Sequence, residues 1–193
     1  VSLSPYSSKS AASGGIEIQS FSYPLDYCYH RQAIPFPNLE AVPPGKIPEP
    51  VKSLLVHQKD MTPTLEAFHG DRIFIEVLHR DYSAGHYFRE VVLRLEQTQH
   101  PVEFGAIRIF LEHLPTHARE AILKERLPLG HILAEHQVAH KSNPIGYLRM
   151  APDALISRVL SSAGQPWLYG RRNRLSNPAG QSIAEIIEIL PNS

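Results

Sequence analysis

The 193-residue chain has one cysteine, Cys28, and no excess of either charge: 19 Lys plus Arg stand against 19 Asp plus Glu. A single cysteine cannot close an intramolecular disulfide, nor supply a multi-thiolate zinc or iron-sulfur site, so a reducing, cytoplasmic compartment fits it best. Charge neutrality removes the global attraction that nucleic-acid or anionic-membrane binding would use, leaving any ligand to be recognised locally. No run approaches the roughly 18 uninterrupted apolar residues needed to span a bilayer. The opening VSLSPYSSKSAASGG lacks the apolar stretch of a secretory signal and reads as a polar tail. Also missing are G-x-S-x-G, P-loop and G-x-G-x-x-G patterns, which withdraws the usual support for serine hydrolase, NTPase and Rossmann oxidoreductase chemistry. The 11 histidines do not form H-E-x-x-H, and His131, His136 and His140 are poorly spaced for a metal, so no metal site and no cofactor are expected.

Proline is abundant: 17 residues, about 9% against an average near 5%. Seven lie between Pro24 and Pro50. Fixed φ angles and missing N–H groups there argue against regular helix and central strand, while Tyr23, Tyr27, Tyr29 and Phe36 argue for an arm packed along the surface. Two segments result: a proline-rich tail and arm over 1–50, and a domain over 51–193.

The patterning becomes regular from Val51. Short helices are predicted over 51–56 and 63–68, the second with Thr62 as N-cap and Pro63 at its first position. β-Branched and aromatic runs at 73–78, 88–96 and 102–111 read as consecutive antiparallel strands, with a turn at Ser83-Ala84-Gly85. Helices at 116–126, 128–135 and 152–161 and strands at 145–150, 168–175 and 183–190 complete the pattern. About six strands with helices grouped between them define a single α+β domain.

Side chains alternate across a strand. Arg89 therefore shares a face with Val91, Leu93 and Leu95 and points inward. A buried guanidinium keeps its charge and requires a carboxylate, from the protein or from a small organic acid. On the last strand, Glu188 shares a face with Ala184, Ile186 and Leu190, and Glu185 lies on the other; either, if desolvated, has a raised pKa suited to general-acid chemistry. Arg108 poses the same question on the third strand. The helix openings at Met61-Thr62-Pro63 and Pro128-Leu129-Gly130 present backbone N–H groups without internal partners, which attract anions.

The strings DMTPTLEAF, YFREVVL, PVEFGAI, LPLGHIL, YGRRNRL and IIEILP, between Leu54 and Pro191, together resemble the chorismate pyruvate-lyases, or 4-hydroxybenzoate synthases. The resemblance implies an antiparallel sheet with helical flaps enclosing a small-ligand pocket, and a cofactor-free lyase that eliminates pyruvate from chorismate for quinone biosynthesis. Carried over by motif, the substrate-binding and catalytic arginine falls on Arg89, the catalytic acid on Glu188, and the carboxylate-binding amides on Met61 and Leu129. The partner implied is chorismate, with no nucleic acid and no membrane insertion. Two alternatives stay open: a diverged enzyme acting on another cyclic acid, and a non-catalytic small-acid-binding module. Ala106 stands where some family members carry an arginine.

Overall fold

Period-two alternation becomes seven strands in the computed structural model, which describes residues 20–83 and 85–192. The polar tail expected at the N-terminus and Ala84 of the expected turn lie outside the described residues. The chain runs α1 (Leu25–Arg31), β1 (Leu39–Val42), α2 (Val51–Leu55), α3 (Met61–His69), β2 (Ile73–Ser83), β3 (His86–Leu95) and β4 (Pro101–Ile109). It continues through α4 (Thr116–Leu123), α5 (Leu129–Glu135), β5 (Lys141–Met150), α6 (Ala154–Val159), β6 (Leu168–Ser176) and β7 (Ser182–Leu190). The strands form one sheet in the order β1-β5-β6-β7-β4-β3-β2, with every neighbouring pair antiparallel. This is the α+β arrangement expected.

The sheet is covered on both sides. On one side, Val91, Ile107, Leu175 and Ile186 pack against Ala118 and Ile122 of α4 and Leu129, Ile132 and Leu133 of α5. Met61 and Leu65 of α3 join Leu54 and Leu55 of α2 against Leu93 and Val102. On the other side, Val92, Phe104, Ala106 and Ile187 meet Leu25, Cys28 and Tyr29 of α1 and Ile156 and Val159 of α6. Each large apolar side chain buried this way contributes roughly 1.5–3 kcal/mol.

Helix α1 and strand β1 depart from the expectation for the proline-rich segment. Their prolines flank the regular elements: Pro24 stands immediately before α1, and Pro37 and Pro43 bracket β1. A proline at a helix start or beside an edge strand removes no needed hydrogen bond. β1 is the sheet's edge strand and pairs with β5 through Leu39–Met150 and Val42–Tyr147. Helix α1 is tied to the sheet by Gln32, just beyond its end, whose amide donates to the buried Glu90.

Helix α3 starts two residues earlier than expected, with Asp60 at the N-cap in extended geometry. The Asp60 carboxylate does not cap the helix. It faces His140, 2.9 Å away, and Thr64 instead closes the first turn by donating to the Asp60 carbonyl at 2.8 Å. Among the described residues no helix is long and apolar enough to cross a membrane.

Candidate functional site

Strand register brings the site together. Arg89 faces Ile107 and Val91 faces Gly105 across β3 and β4. Gly105 faces Glu188 across β4 and β7, and Glu188 faces Arg171 across β7 and β6. All these side chains therefore project to one side of the sheet, beneath α3 and α5. Arg89 and Glu188 line a cavity of about 40 Å³, walled by Val91, Leu93, Ile107, Leu175 and Ile186 and roofed by Met61, Thr62, Pro128, Leu129 and Gly130. Arg89, Glu103, Asn173 and Glu188 supply its polar wall.

Arg89 is 1% exposed, and none of its three guanidinium nitrogens has a hydrogen-bond partner among the described residues. Burial lowers its pKa, opposed by Tyr87 and Glu125. Arginine does not surrender its proton in proteins, so the charge persists. A desolvated, unpartnered cation on a cavity wall is costly in the empty protein and is answered by a bound anion. The end of the cavity near Arg89 is tied off by the Tyr87 hydroxyl donating to Glu125, which also accepts from Arg80 at 2.8 Å.

Glu188 faces the cavity, and Glu185 lies on the opposite side of the sheet with Arg108 at 3.6 Å and Arg174 at 3.3 Å. The two glutamates that parity could not separate are thereby distinguished. Glu188 is, however, already engaged: Arg171 Nε donates to one carboxylate oxygen, and Nη2 to the other at 3.4 Å. Arg171 also donates to the backbone carbonyls of His57 at 3.1 Å and Lys59 at 3.2 Å, which fixes the loop leading into α3. Both oxygens of the Glu188 carboxylate are thus hydrogen-bonded by one buried guanidinium. Arg108 lies away from the cavity, its guanidinium over the Phe110 ring at 4.4 Å, and Ala106 is buried on that same face.

Met61 and Leu129, the first residues of α3 and α5, both line the cavity roof. The helices touch closely at Gly130, where an added Cβ would lie 3.0 Å from Thr62 Oγ1. Two histidine–carboxylate pairs lie nearby: His131 Nε2 on α5 is 3.0 Å from Glu66 Oε1 on α3, and His140 Nε2, just before β5, is 2.9 Å from Oδ2 of Asp60, the N-cap of α3.

Sequence reasoning missed Glu103 and Arg171. Glu103 is 4% exposed, and its Oε2 has no hydrogen-bond partner among the described residues. The available signal was parity: Glu103 alternates with Gly105 and Ile107, and Arg171 with Asn173 and Leu175.

No protein-family model matches the chain, and no curated protein matches it. Solved structures do. PhnF from Mycobacterium smegmatis is 10% identical with a TM-score of 0.53, over 71% of this chain and 65% of that one; this chain thus spans under two thirds of PhnF. The effector domain of PhnF, solved separately, is 11% identical with a TM-score of 0.53, over 69% of this chain and 88% of the domain. A transcriptional regulator of the GntR family from Bacillus cereus is a weaker likeness: 9% identity, TM-score 0.42, over 61% of this chain and 90% of that one. At such identities the likeness establishes the fold, which is that of the PhnF effector domain.

Two expectations from the sequence are corrected. The lyase assignment is corrected, because the solved structures that share this fold are PhnF and its effector domain. Glu188, expected to act as the acid, is paired with Arg171 through both carboxylate oxygens. The exclusion of nucleic acid is corrected as well, since the fold is that of an effector domain, which in PhnF is one part of a longer chain.

Proposed function

We propose that this chain is a non-catalytic ligand-binding module that takes a small organic acid into the cavity between the sheet and helices α3 and α5. The observation that carries the reading is Arg89, fully buried on the cavity wall with three unpartnered nitrogens. The acid's carboxylate forms a bidentate pair with that fork, and the amides at the starts of α3 and α5 face the same anion. In this reading Glu188 is part of the wall, and its ion pair with Arg171 shapes the floor of the site. The shared fold with the PhnF effector domain supports a sensing role, in which occupancy of the cavity is passed to a nucleic-acid-binding partner.

Ligand capture becomes conformational change through the roof. The cavity is small, so an acid with a ring or a chain of several carbons displaces α3 and α5 outward, and these helices also carry the His131–Glu66 bridge. Titration calorimetry with a panel of small carboxylic acids tests the reading. Binding is expected in the parent and lost in Arg89→Met, and chorismate, the acid implied by the sequence resemblance, is expected to be recovered unchanged after prolonged incubation. Release of pyruvate, or equal binding by both proteins, would refute it.

A further inference from the structure

We propose that Glu103 is a second recognition group of the same cavity and reads a hydroxyl at the end of the ligand remote from its acid group. The effector is then an acid with a distal hydroxyl rather than a simple carboxylate. This inference rests on the anion-binding reading of Arg89.

The geometry separates the two groups. Arg89 sits opposite Ile107, four residues along β4 from Glu103, which is about 13 Å at the rise of an antiparallel strand. Their surroundings differ accordingly. Tyr87 and Glu125 act on Arg89, and Glu188 and Arg171 act on Glu103. Both groups line one cavity, whose wall between them is apolar: Val91, Leu93 and Ile107.

Glu103 has the properties of a ligand-facing group. It is 4% exposed with Oε2 unpartnered, and Arg171, the neighbouring cation, is already committed to Glu188 and the loop carbonyls. A buried polar atom without a partner is costly, and a ligand that supplies the partner recovers that cost. Burial raises the Glu103 pKa well above the carboxylate range, and the charge of Glu188 adds to the effect against the opposing influence of Arg171. In its protonated form the Glu103 carboxyl donates one hydrogen bond and accepts another, which matches a hydroxyl in both roles.

The test is titration calorimetry on the full chain with matched pairs: hexanoate against 6-hydroxyhexanoate, and benzoate against 3- and 4-hydroxybenzoate. In the parent at least one hydroxy acid is expected to bind about fivefold or more tightly than its unsubstituted partner, the range of one neutral hydrogen bond. Glu103→Leu is expected to bring that ratio to about one while the unsubstituted acids still bind, and Glu103→Gln, which keeps a donor and an acceptor, to preserve a preference. A preference unchanged in Glu103→Leu, or absent from the parent although the simple acids bind, overturns the role of Glu103 and leaves the Arg89 site standing. Failure of every acid to bind overturns the Arg89 site and this inference together. Melting temperatures of both variants verify that they are folded.

Discussion

Arg171 and Glu188 form a two-point ion pair in the interior, across directly opposed positions of β6 and β7. Both side chains are almost wholly buried, at 0% and 4% exposure. Gly170, beside Arg171, permits the strands to close: a Cβ there would lie 2.3 Å from the Glu188 carbonyl oxygen. The GRRNRL string is thus explained by structure, since its glycine admits the neighbouring strand and its first arginine neutralises Glu188.

Removing one member of a buried pair leaves an uncompensated charge, which costs roughly 3–5 kcal/mol. Glu188→Gln is expected to lose stability on that scale, because Arg171 cannot neutralise itself. Replacing both residues by apolar ones of similar size, Arg171→Met with Glu188→Leu, is expected to recover most of the loss. Urea unfolding of the two single variants and the double variant measures the coupling. Additive single effects would show that the pair does not act as a unit.

Arg89 presents the opposite case, a buried charge whose guanidinium has no hydrogen-bond partner among the described residues and which Tyr87 and Glu125 offset only in part. Arg89→Met is expected to raise stability in the absence of ligand by about 1–3 kcal/mol, the cost of an unsatisfied buried polar group, and to abolish stabilisation by acids. For the parent, an acid at 100 times its Kd should add about 2.7 kcal/mol. Thermal unfolding with and without acid reads both effects. A variant that is less stable than the parent when empty would mean that Arg89 has a structural partner in the folded protein.

The strands were legible because their alternation is strict and their ends are marked by turn residues. β3, β4, β6 and β7 begin and end within two residues of the expected positions. The segment before Val51 was harder to read: proline count argued against regular structure, whereas what matters is where prolines fall, and α1 and β1 occupy the intervals between them. Arg89 was legible from parity alone. Glu103 was not, because a glutamate between Val102 and Phe104 reads as the solvent face of a half-covered strand, and only the covering of both faces buries it. The pairing of Arg171 with Glu188 depends on which strands are neighbours, and β6 and β7 must be placed side by side before the two parities can be matched.

The contact between α3 and α5 sets how tightly the roof closes. In Gly130→Ala the new methyl meets Thr62 Oγ1 at 3.0 Å and Thr62 Cβ at 3.2 Å. The helices must separate slightly, with a cost of about 1–3 kcal/mol typical of overpacking. Because Gly130 also lines the cavity, acid affinity is expected to change in the same variant. Thr62→Ala in the same chain removes the nearest atom and is expected to recover most of the stability. Unfolding and calorimetry on the single and double variants check both; an unchanged Gly130→Ala would mean that the helices are not in firm contact.

The bridge between His140 and Asp60 makes part of the stability depend on pH. The hydrogen bond that His140 donates to Asp60 raises the His140 pKa, opposed by burial and assisted by the Val138 carbonyl and the Asp60 charge. Lys59 and Lys141 flank the pair in the sequence and line the same surface groove. A histidine whose pKa is higher in the folded than in the unfolded chain binds its proton more tightly when folded, so its contribution is complete below the unfolded value of about 6.5. It is lost as pH rises through the folded value. The pair is partly solvated, so its contribution is at most about 1 kcal/mol. His140→Gln is therefore expected to reduce stability at pH 5.5 and to have little effect at pH 8.5, measured by urea unfolding at both. The opposite order, a larger loss at pH 8.5, would show that His140 is neutral in the folded protein and that the bridge is an ordinary hydrogen bond without charge.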